Sequence, residues 1–253
     1  MFIIISMKIL VCIKQVVETL DNNRPSMNRF DEYALEEAIC IKEKGSENGL
    51  DIIVDVITLG PREAVEVVKR AFGLGADNGF HIVMDRDQDA SSSVTAELLA
   101  RAVKDLSYDL VLTGIMSQDR MEGQTGPILA EIMGIPCATG VIATSPVQNG
   151  SHISVEREME KGERQSLMIR LPALLTVQAG INTPRYPSLS KVLKASKKMI
   201  NTIVVVKEEV PPDTQTTLCL EEPAKSRSGR VLAGTTEEKA MALFSLLRER
   251  GIL

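Results

Sequence analysis

The chain has 253 residues, of which 44 % are hydrophobic and 25 % are charged, a balance typical of a globular protein with a sizeable core. Its formal net charge of −5 disfavours a general nucleic-acid-binding protein, because such proteins usually carry a basic excess. Trp is absent and aromatic residues make up 3 %, so we expect no stacking platform for single-stranded nucleic acid.

Cysteine and histidine are placed unfavourably for metal or acid–base chemistry. The four cysteines are far apart and lack metal-ligand spacing, so we expect small buried residues in a reducing compartment and no metal site. Only His81 and His152 are present, and neither has a matching Cys, Asp or Ser motif beside it. A hydrolase that depends on histidine is therefore disfavoured.

The start of the chain, MFIIISMKIL, does not read as a targeting or membrane segment. It has no basic region before its apolar stretch, and that stretch is too short to span a bilayer. We therefore expect Met7 to be the functional start, a cytoplasmic protein and no membrane insertion.

Apolar runs alternate with helical patterns in the first half of the chain. The predicted strands are 7–14, 52–60, 81–85 and 109–114. A polar loop follows the first strand, and Asn28 and Asp31 then offer capping side chains for a helix that ends at Gly45. The other predicted helices are 62–72, 91–106 and 123–134. This alternation predicts a parallel sheet covered on both faces, with ligands beyond the carboxyl ends of its strands.

After residue 138 the pattern changes. The predicted strands are 138–144, 152–160, 164–171 and 171–179. Lys161-Gly162 marks a hairpin turn between the second and third of these strands. The segment 180–198 that follows is polar and basic, with four lysines.

The tail begins with a stretch rich in Pro, Ser, Thr and Lys that has little core-forming material. It closes with a predicted helix, at which Thr235 and Glu238 form a capping box. One face of this helix is apolar, with Met241, Phe244 and Leu247. Because nothing local is available to cover this face, we expect the tail to wrap a partner.

The loop before the fourth predicted helix has the features of an anion site. Gly123 and Gly126 allow the backbone to approach a phosphate, Gln124 and Thr125 can add donors, and Pro127 lies in the first turn. Helix N-termini bind anions through unpaired N–H groups without a lysine. The residues predict a site that holds a nucleotide rather than cleaves it, with no metal and no arginine finger. A plain strand–turn–helix connection is an equally good interpretation of this loop alone.

Asn28, Phe30 and Asp31 stand at the head of the first predicted helix. As structural residues they are helix caps and an N-terminal hydrophobic contact. At the carboxyl edge of a parallel sheet, Asn28 and Asp31 could equally meet an adenine or a ribose. Both interpretations stay open.

Four stretches resemble the β-subunit family of electron transfer flavoproteins, over nearly the whole length. They are CIKQV with SMNRFDEYALEEAICIKEKG, TLGPREAVEVVKRAFGLGAD, VEREMEKGERQSLMIRLPALLTV and NTPRYPSLSKVLKASKKMI. The resemblance implies an α/β fold, a three-layer parallel-sheet nucleotide-binding domain of the adenine nucleotide α hydrolase-like class, over residues 1–200, with a recognition loop near 182–198. It also implies a C-terminal arm, 201–253, whose helix packs on an α subunit.

The resemblance further implies an electron carrier in place of an enzyme. Such a β subunit joins an α subunit and shuttles electrons from flavin dehydrogenases, such as acyl-CoA dehydrogenases of fatty acid oxidation, to a membrane or soluble acceptor oxidoreductase. FAD is held mainly by the α subunit, while the β subunit holds AMP, or a second FAD in electron-bifurcating members. Carried over by position, the nucleotide site comprises Cys12, Asn28, Arg29, Phe30, Asp31, Leu59, Asp119, Gly123, Gln124, Thr125, Gly126, Pro127 and Ala130. The residues carried over to partner docking are Arg185, Tyr186, Leu189 and Lys191.

Three departures from the family pattern leave the nucleotide open. Met116 stands where Gln is frequent, Asp119-Arg120-Met121-Glu122 replaces small or acidic residues, and Thr19 replaces an aromatic residue that faces the flavin. The alternatives are a stand-alone adenine-nucleotide-binding enzyme or stress-type protein, and a scaffold with an empty pocket. For the enzyme, the chain offers Lys14 near the first strand but no glycine-rich loop.

Overall fold

The computed structural model describes residues 6–18, 24–84, 90–148, 151–195, 197–206, 210–213, 215, 218–219, 229 and 231–252. The chain divides into two compact units, Met1–Gln215 and Thr216–Leu253. None of the helices in the described ranges combines the length and the apolar composition that a membrane crossing requires.

In the described part of the first unit, nine strands form one sheet and two form a separate hairpin. The strands of the sheet are β1 (Ser6–Cys12), β4 (Asp51–Gly60), β5 (Asn78–Val83), β6 (Leu110–Gly114), β7 (Cys137–Gln148), β8 (His152–Glu158), β9 (Arg164–Arg170), β10 (Ala173–Val177) and β11 (Asn201–Val204). The hairpin consists of β2 (Gln15–Glu18) and β3 (Arg24–Met27).

The strand order across the sheet is β11-β5-β4-β1-β6-β10-β7-β8-β9. Neighbours from β11 to β7 run parallel, whereas β7, β8 and β9 pair antiparallel. The carboxyl ends of the parallel strands therefore lie along one edge. At this edge Cys12 of β1 is in register with Thr113 of β6, which is in register with Thr176 of β10.

Helices cover both faces of the parallel part. They are α1 (Arg29–Glu47), α2 (Val65–Leu74, after a 3-10 turn at Arg62–Ala64), α3 (Ser92–Val103), α4 (Thr125–Met133) and α5 (Leu189–Ala195). Ile9 of β1 lies in an apolar cluster with residues of α1 and α2, and Leu10 lies in a second cluster with residues of α3 and α4. Because successive strand residues point to opposite faces, the sheet is the middle of three layers, as predicted.

The predicted strand–helix alternation is confirmed, and so is the predicted turn between β8 and β9. Lys161 and Gly162 both have positive φ, at 63° and 78°, and the two strands pair antiparallel. The expected polar loop after the first strand differs, because residues 15–18 and 24–27 form the β2–β3 hairpin.

The end of the first unit lies further along the chain than the expected boundary near residue 200. β11 pairs in parallel with β5, with Asn201 in register with Phe80, and the first unit ends at Gln215. The expected boundary rests on composition, which does not reveal a four-residue edge strand.

The described part of the second unit contains α6 (Thr236–Glu249). Its predicted capping box is confirmed, since the Glu238 backbone N donates to Thr235 Oγ1 at 3.3 Å and the Thr235 backbone N donates to Glu238 Oε2 at 2.8 Å. Met241 and Phe244 are 66 % and 56 % exposed.

Candidate functional site

The N-terminus of α4 offers main-chain donors for an anion. The helix begins at Thr125, two residues after the predicted start at Gly123, and Gln124 before it makes no side-chain capping bond to any described residue. Gly123 has a φ of 66°, a left-handed conformation that glycine adopts without strain. The first N–H groups of a helix have no intrahelical partner, so Thr125 and Gly126 can donate to a ligand here.

Gly126 allows α4 to lie close against two strands. A Cβ atom at this position would lie 2.7 Å from Thr176 Cγ2 and 2.8 Å from Thr113 Oγ1. These residues stand side by side in β10 and β6. The missing side chain therefore faces the sheet, and it sets how closely the first turn of α4, with Pro127, approaches the strand ends.

Asp31 joins three elements at the same edge. Its carboxylate accepts hydrogen bonds from the backbone N of Lys14 at 2.7 Å and of Gly114 at 3.1 Å. The side chain is buried, and burial raises its pKa to about 7 against the opposing effect of these hydrogen bonds. Burial, followed by the nearby Asp31 charge, also raises the pKa of the Cys12 thiol.

Asn28 precedes α1, but its side chain does not cap the helix. Its Nδ2 donates to the carbonyl of Met116 at 2.9 Å, and its Oδ1 accepts from the backbone N of Gln118 at 3.1 Å. The backbone N of Arg29 donates to Gln118 Oε1 at 2.8 Å. The prediction that Asn28 and Asp31 cap α1 through their side chains is therefore wrong, because both side chains bind neighbouring segments.

Lys14 and Asp119 form an ion pair beside the loop that follows β6. The distance from Lys14 Nζ to Asp119 Oδ2 is 2.7 Å, and both side chains are partly exposed. Burial would raise the pKa of Asp119, but the hydrogen bond from Lys14 contributes to keeping it below its usual value. Residues 28–31 and 114–119, predicted from separate parts of the chain, thus meet at one place.

A second group of charged side chains connects the loop between β6 and α4 to the start of α3. Arg120 Nε donates to Glu122 Oε1 at 3.0 Å, and Arg120 Nη1 donates to the carbonyl of Ala90 at 3.0 Å. Glu122 Oε2 accepts from Ser92 Oγ at 2.6 Å. The sequence analysis noted Arg120 and Glu122 only as departures from the family pattern.

The N-termini of α3 and α4 differ in what covers them. At α3, Ser91 Oγ accepts from the backbone N of Val94 at 3.4 Å, and Asp213 Oδ2 accepts from the backbone N of Ser91 at 3.1 Å. Together with Glu122, two acidic side chains of the chain itself therefore stand at α3. At α4, no side chain in the described ranges makes the corresponding capping bond.

Three further predicted site residues form an apolar boundary. Cys12 and Ala130 are buried in one cluster, against which Leu59 packs. Phe30 is half-buried in the first turn of α1. The predicted residues thus come from the ends of β1 and β4, from the start of α1 and from α4.

The histidines lie in different places of the sheet. His81 is 2 % exposed in β5, its Nε2 lies 3.3 Å from the Gly60 carbonyl, and burial lowers its pKa. His152 Nδ1 in β8 lies 2.9 Å from Ser151 Oγ. Among the residues that the structure describes, no three His, Cys, Asp or Glu side chains are grouped as metal ligands.

All four cysteines are free thiols, but their burial varies. Cys12 is buried, Cys40 is half-buried, and Cys137 and Cys219 are exposed. The expectation that all four fill the core is therefore wrong, because Cys137 begins β7 at the end of a loop and Cys219 lies in the tail.

The predicted docking residues lie on a separate segment, which we call the docking loop (residues 182–195 and 197–198). Arg185 forms ion pairs with Glu36 and Glu43 of α1. Tyr186 is 90 % exposed and Lys191 is also exposed. Leu189 begins α5, and its side chain lies outside the described part of the structure.

Comparisons with known proteins identify the family of this chain. The family model described as the electron transfer flavoprotein domain matches residues 16–208. Electron transfer flavoprotein subunit beta of Bacillus subtilis (strain 168) is 35 % identical over 230 residues, which cover 88 % of this chain and 85 % of that protein. The subunits of the same name from Mus musculus and Sus scrofa are each 31 % identical and cover 91 % and 92 % of this chain, and 87 % and 88 % of their own lengths. The chain therefore belongs to the electron transfer flavoprotein β-subunit family.

Proposed function

We propose that this chain is the β subunit of a heterodimeric electron transfer flavoprotein. It shuttles electrons from flavin dehydrogenases, such as acyl-CoA dehydrogenases, to a membrane or soluble acceptor oxidoreductase. The FAD held mainly by the α subunit supplies the redox chemistry. The residues of this chain bind a nucleotide, cover one side of the partner and dock the dehydrogenase, so the chain acts as a carrier subunit without an acid, base or nucleophile of its own.

The observation that supports a bound nucleotide is the N-terminus of α4, where no described side chain makes a capping bond. The N–H groups of Thr125 and Gly126 and the side chain of Gln124 fit one phosphate, because a helix N-terminus favours an anion. Lys14 and Arg120 are already paired with carboxylates of the loop. One phosphate without a metal suits AMP, which we propose as the resident nucleotide.

The rest of the nucleotide lies, in this proposal, across the starts of α1 and α4. The segment from Asn28 to Asp31 contacts the adenosine, and Cys12, Leu59 and Ala130 supply the apolar wall. Asn28 and Asp31 also hold the strand ends and the loop that carries Asp119. A change at either residue would therefore alter the shape of the site as well as its contacts.

The dehydrogenase docks on the exposed part of the docking loop. Tyr186 provides an aromatic contact and Lys191 attracts an acidic partner surface, and Leu189 is added as an aliphatic contact by the family resemblance alone. The arm after residue 215, with the apolar stripe of α6, packs on the α subunit. These assignments follow from the family and from the exposure of Tyr186 and Lys191.

The test is to purify the chain with and without an α subunit, denature it and record the absorbance of what is released. Adenine absorbance alone from the β chain supports AMP. A flavin band from the isolated β chain supports the alternative, an electron-bifurcating β subunit with a second FAD. Release of no nucleotide, together with phosphohydrolase turnover, would instead favour a stand-alone adenine-nucleotide enzyme and overturn the carrier function.

A further inference from the structure

The docking loop is fastened to the fold near its start by Arg185. Arg185 Nε lies 3.0 Å from both carboxylate oxygens of Glu36, and its backbone N donates to Glu36 Oε2 at 3.2 Å. The other side of the guanidinium binds Glu43, with Nη1 and Nη2 at 2.5 and 2.8 Å from its oxygens. Hydrogen bonds between a guanidinium and carboxylates are among the strong ones in proteins, and the planar fork fixes their direction.

The burial of these groups shows that Arg185 serves the fold. The Glu36 side chain is 8 % exposed and the Arg185 side chain is 31 % exposed. Removing one member of such a pair leaves a buried charge without its partner, which is costly. The hydrogen bond from Arg185 also lowers the pKa of Glu43, so the Glu43 carboxylate stays charged at neutral pH and keeps its bond to the loop.

Asn182 adds a second fastening three residues earlier. Its Nδ2 donates to the Tyr33 carbonyl and to Glu37 Oε2, each at 3.0 Å. Glu37 Oε1 also accepts from Thr144 Oγ1 of β7 at 2.5 Å. The start of the docking loop is thereby fixed to one side of α1, and Glu37 in turn connects α1 to β7.

Lys198 fastens the far end of the loop. Its Nζ donates to the carbonyls of Ala76 and Asp77, at 3.0 and 3.1 Å, just beyond the end of α2. The same ammonium lies 4.9 Å from the centroid of the Phe72 ring, a cation–π arrangement. Lys198 therefore has partners within the protein, although the sequence places it in the same lysine-rich segment as Lys191.

The middle of the loop lies on α2. A Cβ atom at Gly73 would be 3.3 Å from Pro187 Cβ and 3.6 Å from Val192 Cγ2, so both residues contact the helix closely. Tyr186 and Leu193, on either side of these contacts, are 90 % and 61 % exposed. The loop thus presents its exposed side chains from a segment that is fixed at both ends and in the middle.

We propose that Arg185 and Lys198 are positioning residues, which hold the docking loop in the conformation that a flavin dehydrogenase recognises. A preformed loop spares the complex the entropic cost of ordering it on binding. The exposed lysines, such as Lys191, provide the charge that attracts the partner. This inference rests on the proposed function, because it concerns how that function is carried out.

The first test separates positioning from direct contact. The heterodimer carrying Arg185→Gln is used as the electron acceptor of an acyl-CoA dehydrogenase, and KM for the carrier and kcat are measured over a range of ionic strength. We expect KM to rise about ten-fold with kcat unchanged, since ordering a few side chains carries a cost of this size. We expect the salt dependence of KM to match that of the unaltered protein.

Matched variants give the comparison. Lys191→Gln should raise KM and also reduce its salt dependence, because it removes a charge that attracts the partner. Arg185→Lys should recover part of the lost affinity, since it restores the charge without the planar fork. An unchanged KM in Arg185→Gln, or a loss of salt dependence equal to that of Lys191→Gln, would overturn the positioning role.

A protease test examines the loop without any dehydrogenase. The control is Lys197→Gln, which trypsin can cleave at its remaining lysines. Trypsin should cleave the loop after Lys191, Lys194 or Lys197 faster in Arg185→Gln and in Lys198→Gln than it cleaves the loop of this control. If Arg185→Gln does not fold, Glu43→Gln, which removes one exposed partner, should give a smaller increase. Equal cleavage rates in all variants would refute the fastening, whereas absence of electron transfer in the unaltered heterodimer would refute only the proposed function.

Discussion

Asp31 places a carboxylate in the interior at the junction of β1, β6 and α1. Two backbone N–H groups bind it, yet burial outweighs them, and the pKa rises from 3.8 to about 7. Folding therefore raises the proton affinity of this group. Its contribution to the free energy of unfolding is fully present below about pH 4 and is lost as the pH rises through about 7.

We expect Asp31→Asn to remove this dependence of stability on pH. The free energy of unfolding should change less between pH 4 and 7 than in the unaltered protein, at about 1.4 kcal/mol for each unit of pKa difference removed. Urea unfolding at a series of pH values measures this change in the free energy of unfolding.

Asp109→Asn is the matched control. Asp109 Oδ2 accepts from the backbone N of Lys8 at 2.8 Å, so this variant makes the same carboxylate-to-amide change at a similar side chain-to-backbone bond towards the other end of β1, while Asp31 remains. It should keep the pH dependence. If the free energy of unfolding of Asp31→Asn still depended on pH to the same extent, another group would be responsible for that dependence.

At the scale of elements, the approach of α4 to β6 and β10 depends on Gly126. We expect Gly126→Val to force the first turn of α4 away from Thr113 and Thr176 and so displace the N–H groups of the proposed phosphate site. The nucleotide released on denaturation should fall from about one per chain to near zero, with a stability loss on the order of 1–3 kcal/mol, as for other overpacked sites.

Gly134→Ala at the other end of α4 separates stability from binding. Gly134 has a φ of 65° and open space around the position of a Cβ atom, so alanine there costs about 1–2 kcal/mol of backbone strain. Its nucleotide content should stay unchanged. If Gly126→Val also retained its nucleotide, the phosphate would not lie at the start of α4.

Elements with strong periodicity could be predicted from the sequence, whereas short ones could not. The strand–helix alternation from β1 to α4 has a clear period, and the start of α4 was predicted to within two residues from the glycines and proline around it. The β2–β3 hairpin and β11 have four residues per strand, too few for a periodic signal.

Long-range side-chain contacts account for what sequence reasoning missed in the site. Asn28 is a residue type that often caps helices, but its side chain bonds residues that are 88 and 90 positions away in the sequence. The internal pairing of Arg185 spans 149 residues. The local sequence pattern identifies which residues are unusual. Their partners depend on the fold, because those partners are distant in the sequence.

At the scale of the whole molecule, α6 exposes apolar side chains that a partner could cover. It has 14 residues, a length at which an isolated helix is only marginally stable in water. The capping box at Thr235 contributes about 1 kcal/mol. The exposed Met241 and Phe244 provide apolar area that association could bury.

We expect the double variant Met241→Ala and Phe244→Ala to weaken assembly with an α subunit. Burying each side chain at an interface contributes about 1.5–3 kcal/mol, so the dissociation constant should rise by at least ten-fold. Sedimentation of the mixed subunits measures it. Glu249→Ala, on another face of α6, should assemble normally, and equal weakening by both changes would exclude a specific role for the apolar stripe.

The same stripe has a consequence for how the protein is made. Without a partner on α6, Met241 and Phe244 remain exposed, and exposed apolar side chains of this kind promote aggregation. Newly synthesised chains in excess of their partner would therefore associate with one another or be degraded. Matched production of the two subunits would keep this population small.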